Sequence, residues 1–234
     1  QAEAIRLARK LQANITDSPR GFALEGDALM VEKRYAEAVN VYEKALAKGK
    51  DSELIVKQHL ALLRSGNTSK ADDMLLGWLK AHPQDQIAMV YLAESYTKRG
   101  LRQEAIKQYE TVLGKVPDNP VVLNNLAVLY QEQQDPRALT MAEKGYKLDP
   151  DNPVYADTLG WIFIQQGQSG RGLQLLEKAI ADAPKNQEIR FHFAYALAKA
   201  GQTSRARQEI GLLQKSKLSP ELEQPVEQLL HRLP

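Results

Sequence analysis

The sequence predicts an all-α fold in which antiparallel helix pairs follow one another as repeats. A recurring phrase is the first sign. Pro117-Asp118-Asn119-Pro120 returns as Pro150-Asp151-Asn152-Pro153 and again as Pro184-Lys185-Asn186, with Pro83-Gln84-Asp85 as an earlier member, so the spacing is 33 or 34 residues. A fixed period of that size marks stacked supersecondary units. Side-chain size is the second sign. In register with the phrase, Gly26, His59, Ala93, Ala127, Gly160 and Ala194 share one repeat position. Ala38, Ala71, Ala105, Ala138, Gly172 and Ala206 share another. Residues this small, once in each half of a unit, let two helices approach closely. The third sign is apolar spacing by three and four, as in Leu92 and Tyr96 or Ile106, Tyr109 and Leu113, with no useful stretch of period two.

The elements follow in order. Residues 1–15 carry Ala4, Ala8 and Leu11 at the spacing of a second helix without its first, so the chain is expected to open partway through a repeat. Six units then run 19–51, 52–85, 86–119, 120–152, 153–186 and 187–219. Ser18-Pro19, Asn119-Pro120, Asn152-Pro153 and Ser219-Pro220 each read as an N-cap followed by proline at the first helical position. Gly66, Gly100, Gly167 and Gly201 fall where a first helix must end in a left-handed residue. Ser69-Lys70-Ala71-Asp72 has the form of a capping box opening a second helix. The unit 120–152 is one residue short in its inner turn, where Asp135-Pro136 can start the second helix unaided. In 52–85, His59 and Trp78 stand at close-contact positions, so either the helices splay or one side chain swings out. Residues 220–234 carry Leu222, Val226, Leu229, Leu230 and Leu233 with no further repeat, as a capping helix would, and Pro225 should kink it or split off its first turn.

Composition narrows the function. Lys and Arg number 31 against 29 Asp and Glu, a net charge of +2, which argues against a nucleic-acid partner because that needs a concentrated basic face. Cys is absent, which removes disulfides, thiolate metal sites and Cys nucleophiles. Apolar runs are too short for a transmembrane segment. The four His residues, His59, His82, His192 and His231, lie in separate units without metal-ligand spacing. No Gly-rich phosphate loop or nucleophile elbow occurs. The sequence therefore predicts no catalytic residue, no metal and no cofactor.

The period, the small-residue positions and the Asn-Pro junctions resemble the tetratricopeptide repeat (TPR) over residues 19–219. The resemblance implies a right-handed superhelix whose first helices line a concave groove for a protein or peptide. A narrower resemblance lies in Asp157-Thr158-Leu159-Gly160-Trp161, Gln165-Gln166-Gly167, the stretch from Ile189 to Ala194, and Ala196-Leu197-Ala198-Lys199-Ala200-Gly201. These phrases look like the end of the TPR-repeat lipoproteins of PEP-CTERM/exosortase systems. That implies a non-catalytic scaffold of the bacterial envelope, periplasmic or outer-membrane-associated, linked to exopolysaccharide production or PEP-CTERM protein sorting. Exopolysaccharide or export machinery would then be a further partner, with signal and anchor outside this chain. The other reading is a TPR regulatory or adaptor domain of a larger cytoplasmic protein or enzyme.

The groove positions implied by the family are the second, fifth, ninth, twelfth and thirteenth of each unit. The candidate partner-binding residues among them are Val121, Asn124, Val128, Val154, Asp157, Trp161, Ile164, Phe191, Tyr195 and Lys199. Trp161, Phe191 and Tyr195 are the expected anchors, because aromatic surface outside a core marks binding sites. His192, between Phe191 and Phe193, reads as a packed or solvated side chain. Lys57, Arg64 and Lys98 at inner positions of the earlier units read as a solvated face, since Glu53 and Glu94 intersperse them.

Overall fold

The computed structural model describes residues Ala2–Leu233; Gln1 and Pro234, the outermost residues of the two terminal segments, lie outside the described residues. Helix α1 (Ala2–Asn14) precedes six pairs. These are α2 (Arg20–Val31) with α3 (Tyr35–Lys48), α4 (Ser52–Arg64) with α5 (Thr68–Ala81), and α6 (Gln86–Lys98) with α7 (Arg102–Lys115). Next come α8 (Pro120–Glu132) with α9 (Arg137–Leu148), α10 (Pro153–Gln165) with α11 (Ser169–Asp182), and α12 (Gln187–Lys199) with α13 (Thr203–Gln214). Helix α14 (Pro220–Arg232) ends the chain, and no strand occurs among the described residues. The all-α class is thus what the structure shows. Two compact units divide within α7, Gln1–Gln108 and Tyr109–Pro234.

Small residues do the work expected of them. At the α10–α11 crossing, a Cβ on Gly172 would stand 2.7 Å from the Gly160 carbonyl oxygen, and one on Gly160 would stand 2.9 Å from Leu176 Cγ. The two backbones meet there with no room for a methyl. In the first unit a Cβ on Gly26 would lie 2.4 Å from the ring of Tyr42, which is itself fully buried. Leu29, Ala38, Tyr42, Ala61, Leu62 and Ala71 form the core around it. In the second unit one core gathers Leu176, Ala179, Ile189, Phe193 and Leu197. Another gathers Ala194, Ile210 and Leu213 against Val226 and Leu229 of α14.

The junctions are capped as polar side chains at helix starts dictate. Asn119 accepts from the Val122 N–H, Asn152 from Val154, and Asn186 from Glu188 and Ile189. Asp51 and Asp85 do the same for α4 and α6. Gly66, Gly100, Gly167 and Gly201 all have φ between 72° and 83°. The two pairs without such a glycine place Lys33 (φ 61°) and Gln134 (φ 57°) in the same left-handed conformation.

Three local expectations need correction. Ser219 makes no side-chain cap; instead its own N–H donates to Gln187 Oε1. The capping box at Ser69 does not form, because α5 begins at Thr68 and Asp72 turns away to bind Arg99 across the next repeat. Pro225 does not split off the first turn, since α14 is one helix through it. So near the start of a helix, the missing N–H removes only one bond.

The odd unit 52–85 takes the second of its two options. His59 stays inside, fully buried, and Trp78 swings out to the turn. There the Trp78 Nε1–H donates to Asp85 Oδ2 at 2.7 Å and its ring stacks on His82, 3.7 Å between centroids. Ser52 donates to the same carboxylate oxygen, so Asp85 joins α4, α5 and α6 at one point.

Candidate functional site

Helices α8, α10 and α12 are neighbours in the second unit. Each begins with an asparagine cap, and Pro120 and Pro153 open two of them, which fixes their starts in register. Helix α10 is apolar nearly all round. It buries Tyr155, Ala156, Leu159, Ile162 and Phe163, yet its Trp161 stays half-buried. Helix α12 presents Phe191, His192 and Tyr195, also half-buried, on the same side.

These rings form one cluster. The Trp161 ring lies 4.1 Å from His192 in a stacked pair, 5.1 Å from Tyr195 edge-on, and 6.4 Å from Phe191. Phe191 and Tyr195 are 6.4 Å apart. Offset and edge contacts at these distances favour aromatic pairs. Asp157 fixes the arrangement from below. Asp157 is buried, and both its carboxylate oxygens lie 2.9 Å from His192 Nδ1. A carboxylate accepts, so Nδ1 carries the hydrogen and the imidazole plane is held against Trp161. Lys199 Nζ sits 5.6 Å from the Tyr195 centroid, within cation–π range.

The candidate residues divide in three. Val121, Val128 and Val154 are each at least 40% exposed, and Lys199 is exposed. Trp161, Phe191 and Tyr195 are half-buried and grouped as described. Asn124, Asp157 and Ile164 are buried. Ile164 does not line the face. The missing side chain of Gly172 leaves a space that its Cδ1 and Cγ1 fill, 2.7 Å from where a Cβ would stand, so Ile164 is core. Asp157 serves by holding His192. The role of His192 was not evident from its neighbours Phe191 and Phe193. A signal existed in the 35-residue separation from Asp157, one period plus one, which sets the two on adjacent first helices.

The first unit offers a different inner surface. A cleft of about 380 Å³ is lined by Ala23, Leu24, Asp27, Glu53 and Lys57, among others. Lys57 is committed there, 2.9 Å from both Asp27 and Glu53. Among the described residues no group of three or more His, Asp or Glu is placed to hold a metal ion, and no helix is long and apolar enough to cross a membrane.

Comparison with known proteins gives the following. The family model "Psidin, N-terminal TPR repeats region" matches residues 28–170, and a "Tetratricopeptide repeat" model matches residues 163–222. A TPR repeat-containing protein of Pseudomonas aeruginosa is 26% identical over 165 residues, covering 69% of this chain and 28% of that protein. Cellulose synthase operon protein C of Pseudomonas fluorescens is 28% identical over 127 residues, covering 54% of this chain and 10% of that protein. The chain thus spans less than a third of either relative's length. A crystal structure of a tetratricopeptide repeat protein from Parabacteroides merdae superposes with a TM-score of 0.71 at 14% identity, covering 91% of this chain and 97% of that one. That likeness shows the fold.

Proposed function

Because the chain belongs to the tetratricopeptide-repeat family, we propose that it is a non-catalytic scaffold that holds a protein or peptide partner on the face of α8, α10 and α12. One observation carries this reading: Trp161, Phe191 and Tyr195 form a half-exposed aromatic cluster, while Val121 and Val128 of α8 and Val154 of α10 are exposed. Large rings that keep an open side beside exposed aliphatics supply the anchors that peptide grooves use. The preorganisation by Asp157 and His192 lowers the cost of binding, since the rings need not be ordered by the partner.

Display of random peptides against the immobilised chain tests it. The wild type should enrich peptides with apolar anchors, and Trp161→Ala should weaken the selected peptides by about 1–2 kcal/mol or more with helicity unchanged. Equal binding by both proteins would move the site elsewhere.

The finer reading places the scaffold in the bacterial envelope, serving exopolysaccharide production or PEP-CTERM protein sorting. The similarity to cellulose synthase operon protein C over 127 residues supports the exopolysaccharide half. Protease accessibility in intact cells and spheroplasts, using the full-length protein, tests it. Digestion only after lysis would favour an adaptor inside the cell instead.

A further inference from the structure

Beyond the aromatic cluster lies a cleft of about 310 Å³ at the joint of α12, α13 and α14. Tyr195 belongs to both, so the two surfaces are continuous. Its walls include Ala198, Leu229 and Leu233, and its only charged lining residues among the described ones are the cations Lys199 and Arg232. Several other basic side chains of this unit are paired with carboxylates. Arg137 pairs with Asp135 and Glu110, Lys144 with Asp118, Lys178 with Asp151, Arg190 with Glu209, and Arg205 with Glu177. Among the described residues Lys199 and Arg232 have no carboxylate partner, and no acidic residue lines the cleft. On the α14 side Arg207 of α13 donates to the Leu233 carbonyl at 3.1 Å.

Two unpaired cations beside apolar walls, next to an aromatic face, specify the chemistry of an occupant. We infer that this cleft takes an acidic side chain, flanked by an apolar residue, of the peptide partner bound on the aromatic face. The carboxylate sits between Lys199 and Arg232, and the neighbouring aliphatic side chain lies against Leu229 and Leu233. The inference rests on the groove reading and adds what the partner must carry. A volume of about 310 Å³ suits one or two residues. The partner's remaining apolar residues then run back over Tyr195 and Trp161.

The test uses amide NMR of the labelled chain with three short probes: Ac-Ala-Leu-Glu-Leu-Ala-NH2, its Gln counterpart, and the Gln peptide with a free C-terminal carboxylate. Saturable shifts at Ala198, Gly201 and Thr203 with the Glu peptide at about millimolar concentration are expected, with the Gln peptide about fivefold weaker, the scale of exposed charge contacts. Lys199→Gln with Arg232→Gln should erase that difference while leaving the spectrum folded. Equal shifts with the Glu and Gln peptides, no shifts with either, or a response to the free C-terminus alone would each overturn the inference. The probes carry no aromatic residue, so Trp161→Ala should leave the response in place. Displayed-peptide binding that Trp161→Ala leaves unchanged, with the cleft response retained, would therefore sink the groove reading while the cleft's preference for an acidic side chain stands.

Discussion

His59 shows how one residue can satisfy a position that the repeat reserves for something smaller. It is fully buried, with Nδ1 3.3 Å from the Tyr91 hydroxyl and Nε2 3.4 Å from Asp72 Oδ1. Burial pushes the Asp72 carboxyl up, but the bidentate Arg99 guanidinium, helped by His59, holds it below the usual range. Asp72 is therefore an acceptor, Nε2 carries the hydrogen, and Nδ1 accepts from the Tyr91 O–H. Burial also drives the imidazole pKa down, and the nearby Arg99 charge adds to that, against the pull of Asp72. Tyr91, desolvated in the same place, is pushed up to about 12. The fold thus prefers neutral His59. As pH falls through the ordinary imidazole value near 6.5, the unfolded chain takes up a proton before the folded one does, so this site's contribution is complete above that pH and declines below it. Thermal melts between about pH 7.5 and about pH 5 should show a steeper loss for the wild type than for His59→Gln. Parallel curves would mean that the buried imidazole is charged in the folded state.

At the scale of the element, the glycine that ends a first helix is where sequence and conformation are most tightly bound. Four of the six pairs have it; the other two force Lys33 and Gln134 to φ values of 61° and 57°. A side chain in that conformation costs roughly 1 kcal/mol, while glycine loses part of the gain through its freer unfolded state. Lys33→Gly and Gln134→Gly should therefore each stabilise the protein by about 0.5–1 kcal/mol, read as a raised denaturant midpoint at constant m-value. A fall in stability at either site would point to contacts of the replaced side chain outweighing the backbone term. These turns were legible because glycine and asparagine report backbone geometry directly. The helix faces were less so. The repeat positions implied by the family resemblance put Ile164 and Trp161 on one surface, but only the absence of a side chain at Gly172 decides that Ile164 is drawn inward. In the same way Ser69 to Asp72 had the right letters for a capping box. Arg99, 27 residues on, offered Asp72 a bidentate ion pair that a local motif cannot reveal. What escaped the sequence were contacts between successive repeats, such as Asp157 with His192, which local spacing does not encode.

For the molecule as a stack of repeats, the ends matter most, because each repeat is stabilised by its neighbours and a terminal one has a neighbour on one side only. In the second unit α14 takes the place of that neighbour. Val226 and Leu229 are buried against Ala194, Ile210 and Leu213, with Phe191 and Tyr195 packed partly on the same cluster. The cap therefore supports α12, the helix that brings three rings and Lys199 to the candidate face. Replacing Val226 and Leu229 by alanine removes buried methyl groups and leaves a cavity, at a cost of about 3–5 kcal/mol for the pair. The loss should be local: amide exchange in α12 and α13 should accelerate while α8 and α9 keep their protection, since opening in repeat proteins begins at the weakened end. Binding on the aromatic face should weaken in the same variant although neither substituted residue reaches Trp161, because fraying of α12 releases His192 from Asp157 and the rings lose their fixed spacing. Uniform acceleration across α8 to α14 would show instead that this unit opens as one cooperative block, with α14 contributing to the whole of it.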